Sequence, residues 1–288
     1  LHTPGAYDAG RSGRVASTTV SHPTPLDGYV LLGTVAIEPN RWGTVRPDRA
    51  PSTRVAEWLD QIDQLPLDGL ELWENHLPAA ESPDAAAFAT SATPIRILNS
   101  YVSFDAADPA ERRAVADAAR RCGASAVKFN VGSDPSAIDA YTNRLGAWVE
   151  DLDGIAAVCE CHQGISVAED PTVASRILDG AGSSHLVQAL VHTHDSPDLL
   201  AAKFDALGER ITHVHVNHLD LSTMSHPTLD QVHDELGRAV DTIRRYGFTG
   251  SWTLEFVAGL LTSVDHAAAL LDQVAADLPI LRDLLERK

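Results

Sequence analysis

The chain has 288 residues, of which 44% are hydrophobic, so it is long enough for one large α/β domain or two small ones. Its net charge of −18 is spread along the sequence and disfavours nucleic acids and anionic membranes as partners. Three cysteines without a C-x-x-C pair favour a reducing, cytoplasmic compartment over a disulfide framework. No apolar run is long enough for a transmembrane helix.

The first 26 residues differ in composition from the rest. They are rich in Gly, Ser, Thr, His and Pro and lack the apolar segment of a secretory signal. We therefore expect an N-terminal extension over residues 1–26 and a single domain over residues 27–288. No change of composition inside the second range indicates a linker.

Apolar, β-branched runs alternate with stretches of helical spacing along the domain. Eight runs have the length and composition of strands: Tyr29–Ile37, Leu67–Trp73, Ile95–Tyr101, Ala126–Asn130, Ile155–Glu160, Leu186–Val191, Ile211–Val216 and Ser251–Leu254. Each run is followed by a predicted helix. Eight such units in about 260 residues predict a (β/α)8 TIM barrel. A doubly wound sheet usually has a glycine-rich phosphate loop after an early strand, and this sequence has none.

The helices have recognisable boundaries. Helical spacing predicts helices over Ser52–Gln64, Asp84–Ser91, Leu229–Tyr246, Ser263–Ala276 and Pro279–Leu285. Four further helices begin at Asp-Pro or Ser-Pro pairs, which combine an N-cap side chain with a proline at the first helical position: Asp108-Pro109, Asp134-Pro135, Asp170-Pro171 and Ser196-Pro197.

The seventh strand carries imidazoles at alternate positions. His213, His215 and Asn217 share one face of this strand, while Val214 and Val216 share the other. The valines suit a face covered by helices. The histidines require either hydrogen-bond partners in the core or a metal ion.

Neighbouring strands also end in polar residues. Glu160 and Glu255 close the fifth and eighth strands, and His192 ends the sixth strand on its inward-facing side. The active sites of TIM barrels lie at these carboxyl ends. Two carboxylates and two imidazoles suit one divalent ion, so Glu160, His192, His215 and Glu255 are the predicted ligands. We expect Mn²⁺, with Co²⁺, Zn²⁺, Fe²⁺ or Mg²⁺ as alternatives.

These motifs resemble those of the xylose isomerase-like barrels, which include sugar phosphate isomerases/epimerases and ketose 3-epimerases. The resemblance covers about residues 28–288. It includes Glu160 followed by His162, the second histidine of the seventh strand (His215), the sequence Leu254-Glu255-Phe256 and the second-strand residue Glu71. The resemblance implies a metal-dependent enzyme acting on a sugar.

The sixth strand departs from the family pattern. The family usually has Asp-x-x-His there, with the aspartate as a ligand, whereas this chain has Val191-His192-Thr193-His194-Asp195. If His194 corresponds to the family histidine, the aspartate position falls three residues earlier, on Val191, which cannot bind a metal ion. The alternation of the strand favours His192 as the replacement ligand. Metal identity and the exact reaction stay open at this point.

The resemblance implies proton transfer beside a carbonyl, through an enediolate, with Glu160 and Glu255 exchanging the proton from opposite faces of a ketose. In the alternative interpretation both glutamates are ligands only, and a water or His162 acts as the base. Trp42 and Trp73 either stack on the sugar or pack against the protein. Lys128 either neutralises the enolate or forms a salt bridge.

We also assign Glu71, His162 and His194 to substrate binding, and interpret His76, His218 and His226 as loop or surface residues. A related lyase that cleaves C-glycosides after oxidation of the sugar, with a small partner subunit, would use the same site. An apurinic endonuclease shares the barrel, but the acidic charge argues against it. A non-catalytic sugar-binding barrel would not need the metal ligands. The predicted substrate is a small sugar or sugar-like molecule, free or phosphorylated, and the pattern is compatible with a homo-oligomer.

Overall fold

Eight parallel strands close into a barrel in the computed structural model of the chain, which describes residues 27–41, 48, 50–220, 222–223, 225–256, 259–260 and 266–287. The barrel strands are β1 (Val30–Gly33), β2 (Gly69–Trp73), β3 (Ile95–Asn99), β4 (Ala126–Phe129), β5 (Ala156–Glu160), β6 (Val187–His192), β7 (Ile211–Val216) and β9 (Ser251–Leu254). They pair in chain order, and β9 closes the barrel against β1. The predicted TIM barrel is confirmed.

Helices follow the strands. They are α1 (Leu59–Ile62), α2 (Pro83–Thr90), α3 (Ala110–Cys122), α4 (Ile138–Leu152), α5 (Pro171–Ala181), α6 (Pro197–Leu207), α7 (His233–Arg245) and α8 (Ala267–Glu286). A short antiparallel pair, β8 (Ser225–His226) with β10 (Gly259–Leu260), joins the loops that follow β7 and β9. None of the described helices is long and apolar enough to cross a lipid bilayer.

Two predicted helix starts are confirmed in atomic detail. The side chain of Asp170 accepts from the backbone N–H groups of Thr172 and Val173 at 2.8 and 3.2 Å. The hydroxyl of Ser196 accepts from the N–H of Leu199 at 3.2 Å. A proline is the first helical residue in both cases, because the missing N–H of that position has no partner in the helix.

The first strand is shorter than the sequence predicts. The apolar run Tyr29–Ile37 divides into β1, which ends at Gly33, and a 3-10 turn over Thr34–Ile37. All four residues of the turn are buried, so hydrophobicity alone does not mark this boundary. A Cβ atom on Gly33 would lie 3.1 Å from the carbonyl oxygen of Leu254, so the glycine permits close contact with the neighbouring strand.

The two predicted C-terminal helices form one helix, α8, with Pro279 inside it. Leucines on both sides of the proline are buried, including Leu278 and Leu281, so the apolar stripe continues through position 279. That packing offsets the missing hydrogen bond of the proline. The predicted start at Ser263 lies outside the described residues. The helix predicted over Leu229–Tyr246 begins later, at His233.

The apolar core has two parts, and neither includes the polar side chains at the mouth of the barrel. A large core fills the space between the strands and the helices. A small cluster fills the barrel interior and consists of Leu31, Ile97, Ala126, Ala156, Val158 and Leu190. Buried polar side chains at the carboxyl ends of the strands occupy the inner face at the mouth, and they form the site described next.

Candidate metal centre

Four side chains converge at the carboxyl ends of the last four barrel strands. Glu160, His192, His215 and Glu255 are all buried, and each offers one ligand atom such that these atoms lie within 4.8 Å of one another. His192 and His215 are register partners on β6 and β7. The Nε2 atom of His192 lies 3.4 Å from Glu160 Oε1 and 3.9 Å from Glu255 Oε2. The sequence therefore identified a set of residues that the fold brings together.

Three imidazole nitrogens in this cluster have no hydrogen-bond partner among the described residues. They are Nδ1 and Nε2 of His192 and Nδ1 of His215. The latter lies 3.2 Å from Glu255 Oε1, in an orientation that makes no hydrogen bond. A buried polar atom without a partner is destabilising, and coordination to a cation removes that penalty. These orphaned nitrogens, together with two carboxylates, fit a divalent metal ion.

Burial keeps His192 in the form that a ligand requires. The ring is 0% exposed, and desolvation lowers the pKa of His192 well below its ordinary value. Contact with Glu160 opposes this shift, whereas the charge of His215 adds to it. His192 is therefore a neutral imidazole at pH 7, and a neutral imidazole is what binds a metal ion.

Glu71 orients the ring of His215 from the interior of the barrel. Its Nε2 atom lies 3.1 Å from the Glu71 carboxylate, which also accepts from Asn99 Nδ2 at 2.7 Å and contacts His213 at 3.1 Å. His213 in turn hydrogen-bonds to Ser251 at 2.7 Å. A carboxylate behind a metal-binding histidine fixes the orientation of the ring. Glu71, assigned to substrate binding from the sequence, lies beneath the cluster and is 1% exposed.

The two carboxylates determine the protonation of His215. Burial by itself would lower the pKa of His215, but the charges of Glu255 and Glu71 outweigh it and raise that pKa well above its ordinary value. Burial would likewise raise the pKa of Glu71, but His215 and His213 lower it well below its ordinary value. Glu71, His213 and His215 also lie close enough to hold a cation. Because these three side chains already hydrogen-bond to one another, we interpret them as a group that orients His215, not as a second metal site.

Lys128 is the cation paired with Glu160. Its Nζ atom lies 2.5 Å from Glu160 Oε2, and Asn130 Nδ2 donates to the same oxygen at 3.0 Å. Burial would raise the pKa of Glu160, but the Lys128 charge and the contact with His192 hold it well below its usual range. The salt bridge considered from the sequence is therefore present. It leaves Glu160 Oε1 directed towards His192.

Glu255 is held in a similar way by Asn217. The Asn217 amide donates to Glu255 Oε2, and its carbonyl oxygen meets His194 Nδ1. His194 is exposed at the rim, and the half-buried ring of His162 lies at right angles to His192 with centroids 4.6 Å apart. The structure thus places His162 and His194 beside the cluster, in ring contact with His192.

A second buried polar network follows β1 and β2. Glu38 is 0% exposed, accepts from Ser52 and Thr53 and lies 3.0 Å from His76 Nε2. Burial would raise the pKa of Glu38, but these contacts lower it to about 2. His76 Nδ1 also bonds to Thr34 at 2.9 Å. The sequence did not identify this network, because its members are 14 to 42 residues apart.

Several other predictions concern single residues. His76 and His226 lie in the connections that follow β2 and β7, as predicted, but they are 8% and 5% exposed and so are buried, not surface, residues. His226 stacks on Phe256 with ring centroids 4.7 Å apart. Trp73 is 1% exposed and meets His76 edge-on at 5.0 Å, so its ring faces are covered by protein. Trp42 lies outside the described residues.

The fold and the cluster define a (β/α)8 barrel with a candidate divalent-metal site at its mouth. Neither a protein-family model nor a curated protein sequence matches the chain. Solved structures do match, and they include xylose isomerase-like and sugar phosphate isomerase/epimerase barrels. The resemblance inferred from the sequence is therefore confirmed for the fold.

Three of these structures illustrate the likeness. A zinc-bound IolI protein is 13% identical with a TM-score of 0.61, covering 89% of this chain and 98% of that one. A xylose isomerase domain protein from Alicyclobacillus acidocaldarius is 15% identical with a TM-score of 0.57, covering 88% and 99%. The 3-keto-D-glucoside 4-epimerase YcjR from E. coli is 14% identical with a TM-score of 0.51, covering 78% and 94%. Identities this low establish a shared fold and leave the reaction to be argued from the site.

Proposed function

We propose that the protein is a divalent-metal-dependent sugar isomerase or epimerase that transfers a proton at the carbon beside a carbonyl group. The observation that carries this proposal is the convergence of Glu160 and Glu255 on imidazole nitrogens that have no other partner. The cluster lies at the end of the barrel where TIM-barrel enzymes have their active sites. A purely structural cluster would not need unpartnered nitrogens.

Glu160, His192, His215 and Glu255 would hold the ion. Two imidazole nitrogens and two carboxylate oxygens suit Mn²⁺, Fe²⁺, Co²⁺ or Zn²⁺ better than Mg²⁺. We propose Mn²⁺, because it accepts both donor types and leaves positions for substrate oxygens. When bound, such an ion polarises a carbonyl group and stabilises the negative charge that develops on its oxygen.

The contacts of the two glutamates support a role in proton exchange. Each has one oxygen held by a neighbour, Lys128 for Glu160 and Asn217 for Glu255, and the other oxygen lies near an imidazole of the cluster. These contacts keep both carboxylates in place. In the proposed reaction one glutamate removes the proton beside the carbonyl group and the other returns one, by way of an enediolate.

Lys128 supports this chemistry electrostatically. Burial would lower its pKa, but the charge of Glu160 raises it above the ordinary value, so Lys128 stays protonated. A fixed ammonium in a buried site favours the negative charge of an enediolate. In this proposal His162 and His194, whose rings lie 5.0 Å apart beside the cluster, bind substrate hydroxyl groups.

The test is incorporation of solvent deuterium into a panel of ketoses and oxidised glycosides. Manganese-loaded wild type should exchange one carbon-bound proton, and Glu160→Gln and Glu255→Gln should each slow this by about 10²–10⁴-fold. Glu57→Gln, a change at an exposed residue, is the control and should exchange at the wild-type rate. Metal content is measured in every variant, so that loss of the ion is distinguished from loss of a base.

Two outcomes would change the proposal. Full exchange by a metal-loaded Glu160→Gln protein would show that this carboxylate is a ligand only, with the base elsewhere, for example His162. Release of an aglycone from an oxidised glycoside would favour the lyase. Absence of exchange with every substrate in metal-loaded wild type would contradict both reactions.

A further inference from the structure

A lysine lies on the buried face of helix α6. Lys203 is 0% exposed and shares that face with Leu200, Phe204 and Leu207. A lysine is almost never fully buried unless its ammonium group is paired. A leucine or methionine at this position would pack as well without the desolvation that the charge requires. Packing alone therefore does not account for a lysine at this position.

The ammonium group connects the ends of two barrel strands. Nζ lies 2.6 Å from Asp195 Oδ2 and donates to the carbonyl oxygen of Cys161 at 2.5 Å. Cys161 immediately follows Glu160 in the chain. The same Asp195 oxygen accepts the backbone N–H of His192 at 3.2 Å. One buried ammonium thus acts on the backbone beside Glu160 and, through Asp195, on the backbone of His192.

His192 differs from the other three members of the cluster in how it is held. Hydrogen-bonding neighbours orient the side chains of the others: Lys128 for Glu160, Glu71 for His215 and Asn217 for Glu255. The His192 ring has no hydrogen bond to any described residue. Its position therefore depends on its backbone, on ring contacts and on the 3.4 Å contact between Nε2 and Glu160, so the Asp195 contact to its N–H bears on where Nε2 lies.

We infer that Lys203 and Asp195 form a positioning pair that sets the spacing between Glu160 and His192 for metal binding. This inference rests on the proposed function, since it assigns the pair to that metal site. The pair lies behind the cluster and contacts neither ring nitrogen of His192. It acts by holding the ends of β5 and β6 at a fixed separation.

The test is a cobalt titration of the metal-free 288-residue chain, followed by the visible absorption of Co²⁺, which reports ligand geometry. In Lys203→Met the buried charge of Asp195 loses its cation, so we pair this variant with the double change Lys203→Met with Asp195→Asn. The double variant is neutral at both positions and keeps an oxygen that accepts the His192 N–H. Arg112→Met is the control, because Arg112 is a buried cation bonded to the carbonyl oxygens of Ala106 and Ala107.

We expect the double variant to fold, to bind Co²⁺ about tenfold or more weakly than wild type, and to show a shifted absorption band. Arg112→Met should lose stability but keep the wild-type dissociation constant and spectrum. A folded double variant with wild-type cobalt affinity and spectrum would overturn the positioning role while leaving the metal site intact. A wild-type protein that binds no Co²⁺ would instead overturn the metal site, and with it this inference.

Discussion

Glu71 lies 3.1 Å from Nε2 of His215, across the imidazole ring from Glu255. The first carboxylate is deeply buried and oriented by Asn99, while the second faces the mouth of the barrel. With Nε2 directed at Glu71, Nδ1 is the nitrogen that a cation would bind, in exchange for the proton that the two carboxylates favour on this ring. The pair therefore determines which nitrogen of His215 is available to a cation.

Removing the charge of Glu71 should weaken metal binding without removing a ligand. We expect Glu71→Gln to raise the dissociation constant for Mn²⁺ by about 10–100-fold, because His215 loses the carboxylate that orients it. Isothermal titration measures the effect. Glu74→Gln, at a residue that contacts Ser100 and Tyr101, should bind Mn²⁺ as wild type does. Equal affinity in both variants would contradict the orienting role.

Loss of the Lys128 charge should destabilise the fold. Lys128→Met leaves Glu160 buried without its cation, and removing one partner of a buried pair typically destabilises by about 3–5 kcal/mol. Urea unfolding of the metal-free protein measures this. Glu160→Gln added to Lys128→Met should recover most of the stability and none of the activity. If the single variant is as stable as wild type, the two charges are not coupled as described.

Asp277 on α8 should make stability depend on pH between about pH 4 and pH 6. Burial raises the pKa of Asp277 from 3.8 to about 6, and its Oδ2 atom has no hydrogen-bond partner among the described residues. Since the fold disfavours the ionised form, the stability that Asp277 contributes is full below pH 3.8 and is lost as pH rises through 6. A difference of about two pKa units corresponds to roughly 3 kcal/mol.

Urea unfolding at pH 4 and pH 8 measures the free energy of unfolding of Asp277→Asn and of wild type. The difference between them should shift in favour of the variant by up to roughly 3 kcal/mol over this range. Asp272→Asn changes an exposed residue of the same helix and serves as the control. A difference between Asp277→Asn and wild type that stays constant with pH would show that Asp277 ionises normally in the fold.

The charge of −18 predicts that duplex DNA is not a substrate. Incubation of the metal-loaded protein with a duplex containing an abasic site should leave the strand intact at physiological salt. The reason is that an acidic surface repels the phosphate backbone. Cleavage that disappears in Glu255→Gln would contradict this prediction and the proposed function together.

Strand alternation is the reason that much of the site could be predicted. The period of two placed His213, His215 and Asn217 on one face of a strand, and the structure has all three directed inward. The same alternation selected His192 instead of His194 on β6. The eight βα units are equally local features, because each depends on hydrophobic spacing and on helix-start signals in neighbouring residues.

What could not be predicted depends on contacts between distant residues. Lys203 lies on an apolar helical stripe, which is a visible signal, but its partner Cys161 is 42 residues away. Glu38 and His76 are 38 residues apart and follow different strands. Pro279 indicated a break between two helices, yet tertiary packing keeps α8 continuous. In each case the fold must be known before the partner can be named.

The most direct measurement is a crystal structure of the manganese-loaded protein with anomalous data at the metal absorption edge. We predict one anomalous peak among Glu160, His192, His215 and Glu255, with ligand distances of about 2.0–2.4 Å. The Glu71 carboxylate should remain bonded to His215 and should not coordinate the ion. A peak elsewhere in the protein, or no peak in crystals grown with excess Mn²⁺, would contradict the assignment of this cluster as the metal centre.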